Sequence, residues 1–314
     1  MQDPDQSLPA ERTLRDWFRQ AGLSAAPAGR RPALSLDRAT QPHQVWQMDA
    51  SECLRLKPGE HVCWLRVVDE FSGAFLWTRV FHTARWETVP AVKTQHALRE
   101  TFRRWGIPRG FRVDNGFPWG TSKDLPTDLT LWLIGLGVAM DFNPPACPEK
   151  NGVVERSMRT SQNWAEPGQC ASGQELQQRI DEADQIQREL YPLADGRSRL
   201  ATFPKLACPN RTYTETWERD HWSLEWVWDY LSEFSWPRTV DRAGQVSMYR
   251  QRYYVGKDRA GRTIQVSFDP LTGEWVFSED SGTLIRTGIA EELTQARIVG
   301  LTVNPDRHQR AHKQ

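Results

Sequence analysis

The stretch "HQVWQMDASECLRL" at residues 43–56 alternates apolar and polar side chains. On an extended chain one side carries Trp46, Met48 and Ala50, and the other side carries Gln47, Asp49 and Ser51. This period of two predicts a β-strand with one buried face. The carboxyl group of Asp49 then lies in mid-strand on the polar face.

The chain on either side of this strand predicts the rest of the sheet. Two further strands, "HVCWLRVVDEF" and "AFLWTRVF", follow across the turns at Pro58-Gly59 and Ser72-Gly73. Helical and strand patterns then alternate, so the predicted order is β-β-β-α-β-α-β-α-α. An antiparallel meander followed by alternating units predicts an α/β fold, a ribonuclease-H-like mixed sheet with flanking helices, whose first and fourth strands are central neighbours.

Composition narrows the class of protein. The 314 residues carry 40 basic and 40 acidic side chains, and this balance argues mildly against a general nucleic-acid binder. The five cysteines are odd in number and include no C-x-x-C pair, so we expect reduced thiols and no structural zinc. The sequence shows no membrane span and no secretory signal, and cytoplasmic localisation is the expectation.

Three carboxylates occupy positions that could meet in such a fold. Asp49 lies in the first strand, Asp114 at the tip of the fourth, and Glu155 in the first turn of the helix that follows "NPPACPEKNG" at 143–152. Converging carboxylates repel one another unless a cation neutralises them. Oxygen ligands without His or Cys favour Mg²⁺ or Mn²⁺, and two ions about 4 Å apart suit phosphodiester displacement.

The motifs "WQMDAS", "FRVDNG" and "CPEKNGVVERSMR" resemble those of the DDE integrase core, which retroviral integrases share with bacterial insertion-sequence transposases. Their spacing also fits, with 64 residues between Asp49 and Asp114 and 40 between Asp114 and Glu155. The resemblance implies that these three side chains are the catalytic metal ligands. It implies a polynucleotidyl transferase that cleaves transposon-end DNA and joins it to target DNA, as a homo-oligomer on DNA.

The resemblance also suggests a domain organisation. Residues 1–40 would be a remnant of a helix-turn-helix region with a linker, and residues 41–200 the catalytic core. An aromatic connector at 201–235 would lead to a β-barrel domain at 236–300 and a tail at 301–314. The predicted N-terminal helix covers residues 8–22.

The chain departs from the family pattern in two places. Glu149 and Lys150 stand where the family often has Gln before the Asn-Gly step. Most of the N-terminal DNA-binding unit and the retroviral zinc motif are absent from the sequence. These departures are consistent with an enzyme that relies on a separate helix-turn-helix protein. They also leave open a truncated or domesticated, catalytically silent relative that binds DNA or protein.

The sequence allows two interpretations of the role of each of several polar side chains. Asn151 is either a helix N-cap or a hydrogen-bonding group at the metal site. Arg159 either pairs with Glu155 at i+4 or, with Lys150 and Arg156, contacts DNA phosphates. Arg250 and Arg252 on the predicted barrel are either solvated charges or part of a DNA-binding face.

Two further acids have simpler explanations. Asp69 precedes a hairpin turn, where an aspartate usually forms the turn. Asp141 lies near a strand end and could cap the next segment of the chain. Neither is expected to be catalytic.

Overall fold

The computed structural model describes Trp17 and residues 37–82, 89–116, 118–120, 125–143, 151–209 and 211–303. The predicted helix over 8–22 lies outside these residues except for Trp17. Five strands form the first sheet: β1 (Val45–Arg55), β2 (His61–Asp69), β3 (Phe75–His82), β4 (Gly110–Val113) and β5 (Ala139–Phe142). Their order is β3-β2-β1-β4-β5, with β1 antiparallel to β2 and parallel to β4. The predicted ribonuclease-H-like topology, with the first and fourth strands adjacent, is confirmed.

Four helices accompany this sheet: α1 (Ala91–Trp105), α2 (Asp128–Gly135), α3 (Gly152–Ala165) and α4 (Gly173–Glu189). The apolar spacing of the sequence predicts that Val92, Leu98, Phe102 and Trp105 form the buried stripe of α1. For Val92 this prediction is wrong, because it lies in the first turn after Pro90 and is 39% exposed. Leu98, Phe102 and Trp105 are buried as predicted. None of the described helices is long and apolar enough to cross a membrane.

The two faces of the sheet have different cores. On one face, Trp46 of β1 packs edge-on against Phe111 of β4, at 5.8 Å between ring centroids, and close to Phe102 of α1. On the other face, α3 and α4 cover Trp64 and its neighbours. This alternation follows from the period of two in β1, because successive side chains point to opposite faces.

Strand β3 lies at the edge of the sheet, where unpaired backbone groups invite another strand. Two glutamines of α4 close this edge. Gln177 accepts from Val80 N at 2.7 Å and donates to Thr78 O at 2.9 Å. Gln187 does the same at the other end of the strand, with Phe75 N at 3.1 Å and Gly73 O at 2.8 Å. The side-chain amides thus take the place of a sixth strand.

A connector of short helices follows the first sheet: α5 (Arg199–Thr202), α6 (Glu215–His221) and α7 (Leu224–Ser232). Glu218 of α6 ties it to α1 and α2. Arg99 donates to its carboxylate twice, at 2.7 and 3.0 Å, and Trp132 donates at 2.8 Å. Tyr213 OH donates as well. Burial alone would raise the pKa of Glu218, but these bonds outweigh it and hold that pKa below its ordinary value.

The C-terminal part contains two sheets and a final helix: β6 (Ser235–Thr239), β7 (Gln245–Met248), β8 (Gln251–Tyr254), β9 (Thr263–Asp269), β10 (Glu274–Ser278), β11 (Leu284–Ile289) and α8 (Gln295–Val299). Within residues 211–303 the strands pair as an open sheet, β11-β10-β9-β6, and a separate hairpin, β7-β8. The expected closed barrel is therefore not formed, because β7 and β8 pair only with each other.

Tryptophans pack the C-terminal sheet and the connector onto the core. Trp222 donates to Trp132 O at 3.0 Å, and Trp236 meets Trp275 edge-on at 5.7 Å. One buried apolar cluster runs without a break from Trp46 to Trp275. The C-terminal sheet is consequently anchored to the ribonuclease-H-like part.

Gly135→Ala should destabilise the fold. An added Cβ would lie 2.1 Å from the indole of Trp222, which is buried and held by its bond to Trp132. Overpacking of this kind costs about 1–3 kcal/mol, measurable by urea unfolding. The control is Gly168→Ala, where a Cβ meets open space. Equal stability of the two variants would contradict this packing.

Glu218→Gln should cost about 3 kcal/mol at pH 7, because it leaves Arg99 without its charged partner. The direction in which this stability difference changes with pH follows from the lowered pKa of Glu218. The carboxylate's contribution is complete above the ordinary glutamate pKa of about 4.3 and is lost as pH falls through the lower folded value. Urea unfolding from pH 7 to pH 2.5 should therefore show the two proteins converging in acid. A constant difference across that range would be the contrary result.

Candidate active site

Two candidate acids lie just beyond the paired segment of β1 and β4. These strands pair in parallel through Val45–Gly110, Trp46–Phe111 and Gln47–Arg112. Asp49 lies two residues beyond Gln47 in β1, and Asp114 is the first residue after β4. Asp49 is half-buried and Asp114 is exposed.

A short loop holds the carboxylate of Asp114. Trp119 Nε1 donates to its Oδ1 at 2.6 Å, and Gly116 N donates to the same oxygen at 3.0 Å. The loop closes tightly, because Gly120 N bonds Gly116 O at 2.6 Å and a Cβ on Gly120 would lie 2.4 Å from Asn115 O. Both bonds fall on Oδ1, so within the described part of the chain Oδ2 is left for another ligand.

Helix α3 brings Glu155 to the same strand. The N–H of Val154, the residue before Glu155, donates to Gln47 Oε1 on β1 at 3.0 Å. Further along the helix, Gln162 Nε2 donates to Ser51 Oγ at 3.1 Å. Glu155 itself is exposed in the first turn. No ion pair joins it to Arg159 among the described contacts, so the simple i+4 pair is not formed.

The three acids do not form a ready-made metal cluster. Within the described residues, no three His, Cys, Asp or Glu side chains lie close enough together to hold a metal ion. Asp49 lies in β1, Asp114 directly follows the neighbouring strand β4, and the first turn that carries Glu155 is bonded to β1 through Val154 and Gln47. Lys150 and Glu149 lie outside the described residues.

Asn151 does not form the N-cap bond that was one of its two interpretations. It stands at the N-cap position of α3, yet its side chain makes no cap bond. The residue is 4% exposed, and its Oδ1 has no partner in the described structure. Asn143, before the proline-rich segment, has a similar unpartnered Oδ1, while its backbone O accepts from Asn115 at 2.7 Å.

The remaining sequence candidates are spread over the surface. Arg156 and Arg159 are exposed on α3, and Arg250 and Arg252 are exposed on the β7–β8 hairpin. Tyr249 and Arg250 form the tip of that hairpin with positive φ angles of 44° and 67°. This turn directs Tyr249 inward, where its hydroxyl donates to Pro126 O at 3.1 Å.

Asp69 and Asp141 have structural partners. Asp69 accepts from Ser72 N at 2.8 Å, Ser72 Oγ at 2.6 Å and His43 N at 2.7 Å, which confirms the turn-forming role. Burial raises the pKa of Asp69, although these bonds oppose the shift. Asp141 accepts from Arg112 Nε at 2.9 Å inside the core.

Sequence reasoning missed three residues that support the site: Gln47, Arg112 and Trp119. Gln47 and Arg112 each precede a candidate acid by two residues, which in a strand means the same face. That spacing was a usable signal. Nothing in the sequence marked Trp119, since its bond to Asp114 depends on the loop closure at Gly120.

No protein-family model matches the sequence. Among solved structures, the HTLV-2 integrase catalytic core, in complex with magnesium, aligns with 53% of this chain and 99% of its own, at 19% identity and a TM-score of 0.39. The BIV integrase core aligns with 52% of this chain and 95% of its own, at 16% identity and a TM-score of 0.40.

A third similar structure comes from the simian T-cell lymphotropic virus intasome in complex with the PP2A regulatory subunit B56 gamma. It aligns with 60% of this chain and 63% of its own, at 16% identity and a TM-score of 0.43. These similarities are partial, and the fold is assigned from the order and pairing of its own strands.

The hydrogen bond between Trp119 and Asp114 should be measurable as a coupling free energy in a double-mutant cycle of unfolding. A hydrogen bond to a charged group is worth about 1.5 kcal/mol or more, so Trp119→Phe and Asp114→Ala should be non-additive by about that amount. Urea unfolding of both single variants and the double variant gives the coupling. Trp119→Phe combined with Asp220→Ala, a distant exposed acid, should be additive. Additivity in both pairs would rule out the bond.

Proposed function

We propose that this protein is a DNA polynucleotidyl transferase of the DDE transposase and integrase type. The observation that supports it best is the parallel pairing of β1 with β4, because Asp49 lies two residues beyond the last pair on the β1 side and Asp114 two residues beyond it on the β4 side. The bond from Val154 to Gln47 adds the first turn that carries Glu155 to the same strand. These are the acids that the motif resemblance assigns to catalysis.

The donor set fits a hard divalent cation. Two Mg²⁺ or Mn²⁺ ions would be held by Asp49, Asp114 and Glu155, because carboxylate oxygens without His or Cys favour these metals. Asn151, four residues before Glu155, has a buried Oδ1 without a partner in the described structure, which is a further oxygen donor near the start of the helix. When bound, such ions supply Lewis-acid activation of an attacking hydroxyl and stabilisation of the leaving oxygen.

The chain's own residues supply orientation and access. Trp119 and Gly116 fix Oδ1 of Asp114, so the carboxylate is orientated before any ligand arrives. Exposure of Asp114 and Glu155 leaves room for a substrate as large as duplex DNA. The reaction class is cleavage at a transposon end followed by attack of the freed 3′-hydroxyl on target DNA.

DNA contacts are proposed for basic side chains on two surfaces. Arg156 and Arg159 flank Glu155 on α3, and Lys150 precedes it. Arg250 and Arg252 lie on the exposed hairpin. Arg side chains suit bidentate contacts to phosphate. Joining two DNA ends to one target requires more than one active site, so a homo-oligomer on DNA is part of the proposal, with a separate helix-turn-helix protein as a further partner.

The test is strand transfer with pre-cleaved DNA ends, in Mg²⁺, by Asp49→Asn, Asp114→Asn and Glu155→Gln. Loss of a metal ligand removes several kcal/mol of transition-state stabilisation, so product formation should fall at least about a hundredfold. The control is Glu182→Gln, an exposed acid on α4. Circular dichroism should show all variants folded.

The outcomes separate the two functions left open by the sequence. Product from wild type and from Glu182→Gln, but from none of the three site variants, supports the transferase. DNA binding without product in any protein supports the catalytically silent relative. Equal product from wild type and Asp114→Asn contradicts the assigned site.

A further inference from the structure

Helix α3 begins without a cap of its own. An N-cap side chain normally accepts the N–H at position N2 or N3. Asn151 makes no such bond, and the N–H of Val154, at N3, instead donates to Gln47 at 3.0 Å. The helix that carries Glu155 is therefore capped by the sheet.

Gln47 is itself held at its other end. Its Nε2 donates to Glu70 Oε2 at 2.7 Å, and the side chain is fully buried. An amide with one bond on oxygen and another on nitrogen has its direction fixed. Gln47 can thus present its oxygen to α3 in one orientation only.

Glu70 is in turn held in place by a buried ion pair with Arg112. Arg112 Nη1 donates to Glu70 Oε2, and Arg112 Nε donates to Asp141 at 2.9 Å. Glu70, Arg112 and Asp141 are 8%, 2% and 0% exposed. Removal of one member of such a group leaves an uncompensated buried charge, so the arrangement has little freedom to shift.

The same pair holds the segment before β1. Ala39 N donates to Glu70 Oε1 at 3.0 Å, and Asp37 O accepts from Arg112 Nη2 at 3.4 Å. The buried pair of Glu70 and Arg112 is consequently bonded to two segments: the first turn of α3, through Gln47, and residues 37–39, directly.

We propose that Gln47 is a positioning residue for Glu155, and that Glu70 with Arg112 couples residues 37–39 to that position. Glu155 follows Val154 directly, and each helical residue turns by about 100°. Fixing the N3 amide therefore fixes the direction in which the next residue leaves the helix. One part of this proposal, the catalytic role of Glu155, rests on the proposed function.

The first test compares Gln47→Leu with Gln162→Leu, which removes the other bond between α3 and β1. Loss of an N-cap costs about 1–2 kcal/mol, a five- to thirtyfold change in opening. Amide hydrogen exchange at Val154 and Glu155 should accelerate by that factor in Gln47→Leu and stay unchanged in Gln162→Leu.

Strand-transfer kinetics provide a readout that a purely structural cap would not move. With folded Gln47→Leu, kcat should fall about tenfold while KM for DNA stays constant, because Glu155 is misplaced and DNA contacts are not. Unchanged exchange at Val154, or faster exchange with an unchanged kcat, would overturn the positioning role. If wild type makes no product, the transferase proposal fails separately, and exchange at Glu155 alone decides the inference.

The coupling to residues 37–39 is tested by Ala39→Pro, which removes the N–H that donates to Glu70. Exchange at Val154 should rise severalfold although residue 39 lies far from it in sequence. Exchange at Leu176 in α4, outside this network, serves as the internal control. An unaltered rate at Val154 would refute the coupling, and a faster rate at Gln47 or Glu70 would then confine the effect to those residues.

Discussion

The buried pair of Glu70 and Arg112 is the contact on which the site depends. A charge taken out of water is stable only with a partner and further hydrogen bonds. Here the further bonds come from β5 through Asp141, from β1 through Gln47 and from the backbone at Ala39. The pair therefore fixes the relative positions of the strands that carry Asp49 and Asp114 and, through Gln47, of α3.

Much of the fold could be predicted, because its signals are local. Alternation in β1, the turns at Gly59 and Gly73, and the spacing of Leu98, Phe102 and Trp105 in α1 depend on neighbouring residues and hold in the structure. Barrel closure was not predictable in this way. It depends on whether distant edges such as β6 and β11 pair, and strand patterns contain no information on that choice.

The same distinction between local and distant signals separates the site residues that could be predicted from those that could not. The three acids were found from motif spacing and from their places in mid-strand, at a strand tip and in a first helical turn, and the parallel pairing of β1 with β4 is compatible with that choice. Gln47 and Trp119 were missed, because their roles are single bonds between residues far apart in sequence or across a closed loop. Asn151 had two interpretations, an N-cap and a hydrogen-bonding group at the metal site, and the N3 amide of the helix is bonded by Gln47 instead, an acceptor from another strand that local sequence does not reveal.

The central claim is that Asp49, Asp114 and Glu155 form one divalent-metal site. Its most direct test is a Mn²⁺ titration followed by electron paramagnetic resonance, on wild type and on Asp49→Asn, Asp114→Asn and Glu155→Gln. We expect saturable Mn²⁺ binding by wild type and weaker binding by each of the three variants. Absence of binding by wild type, or binding that none of the three substitutions alters, would contradict it.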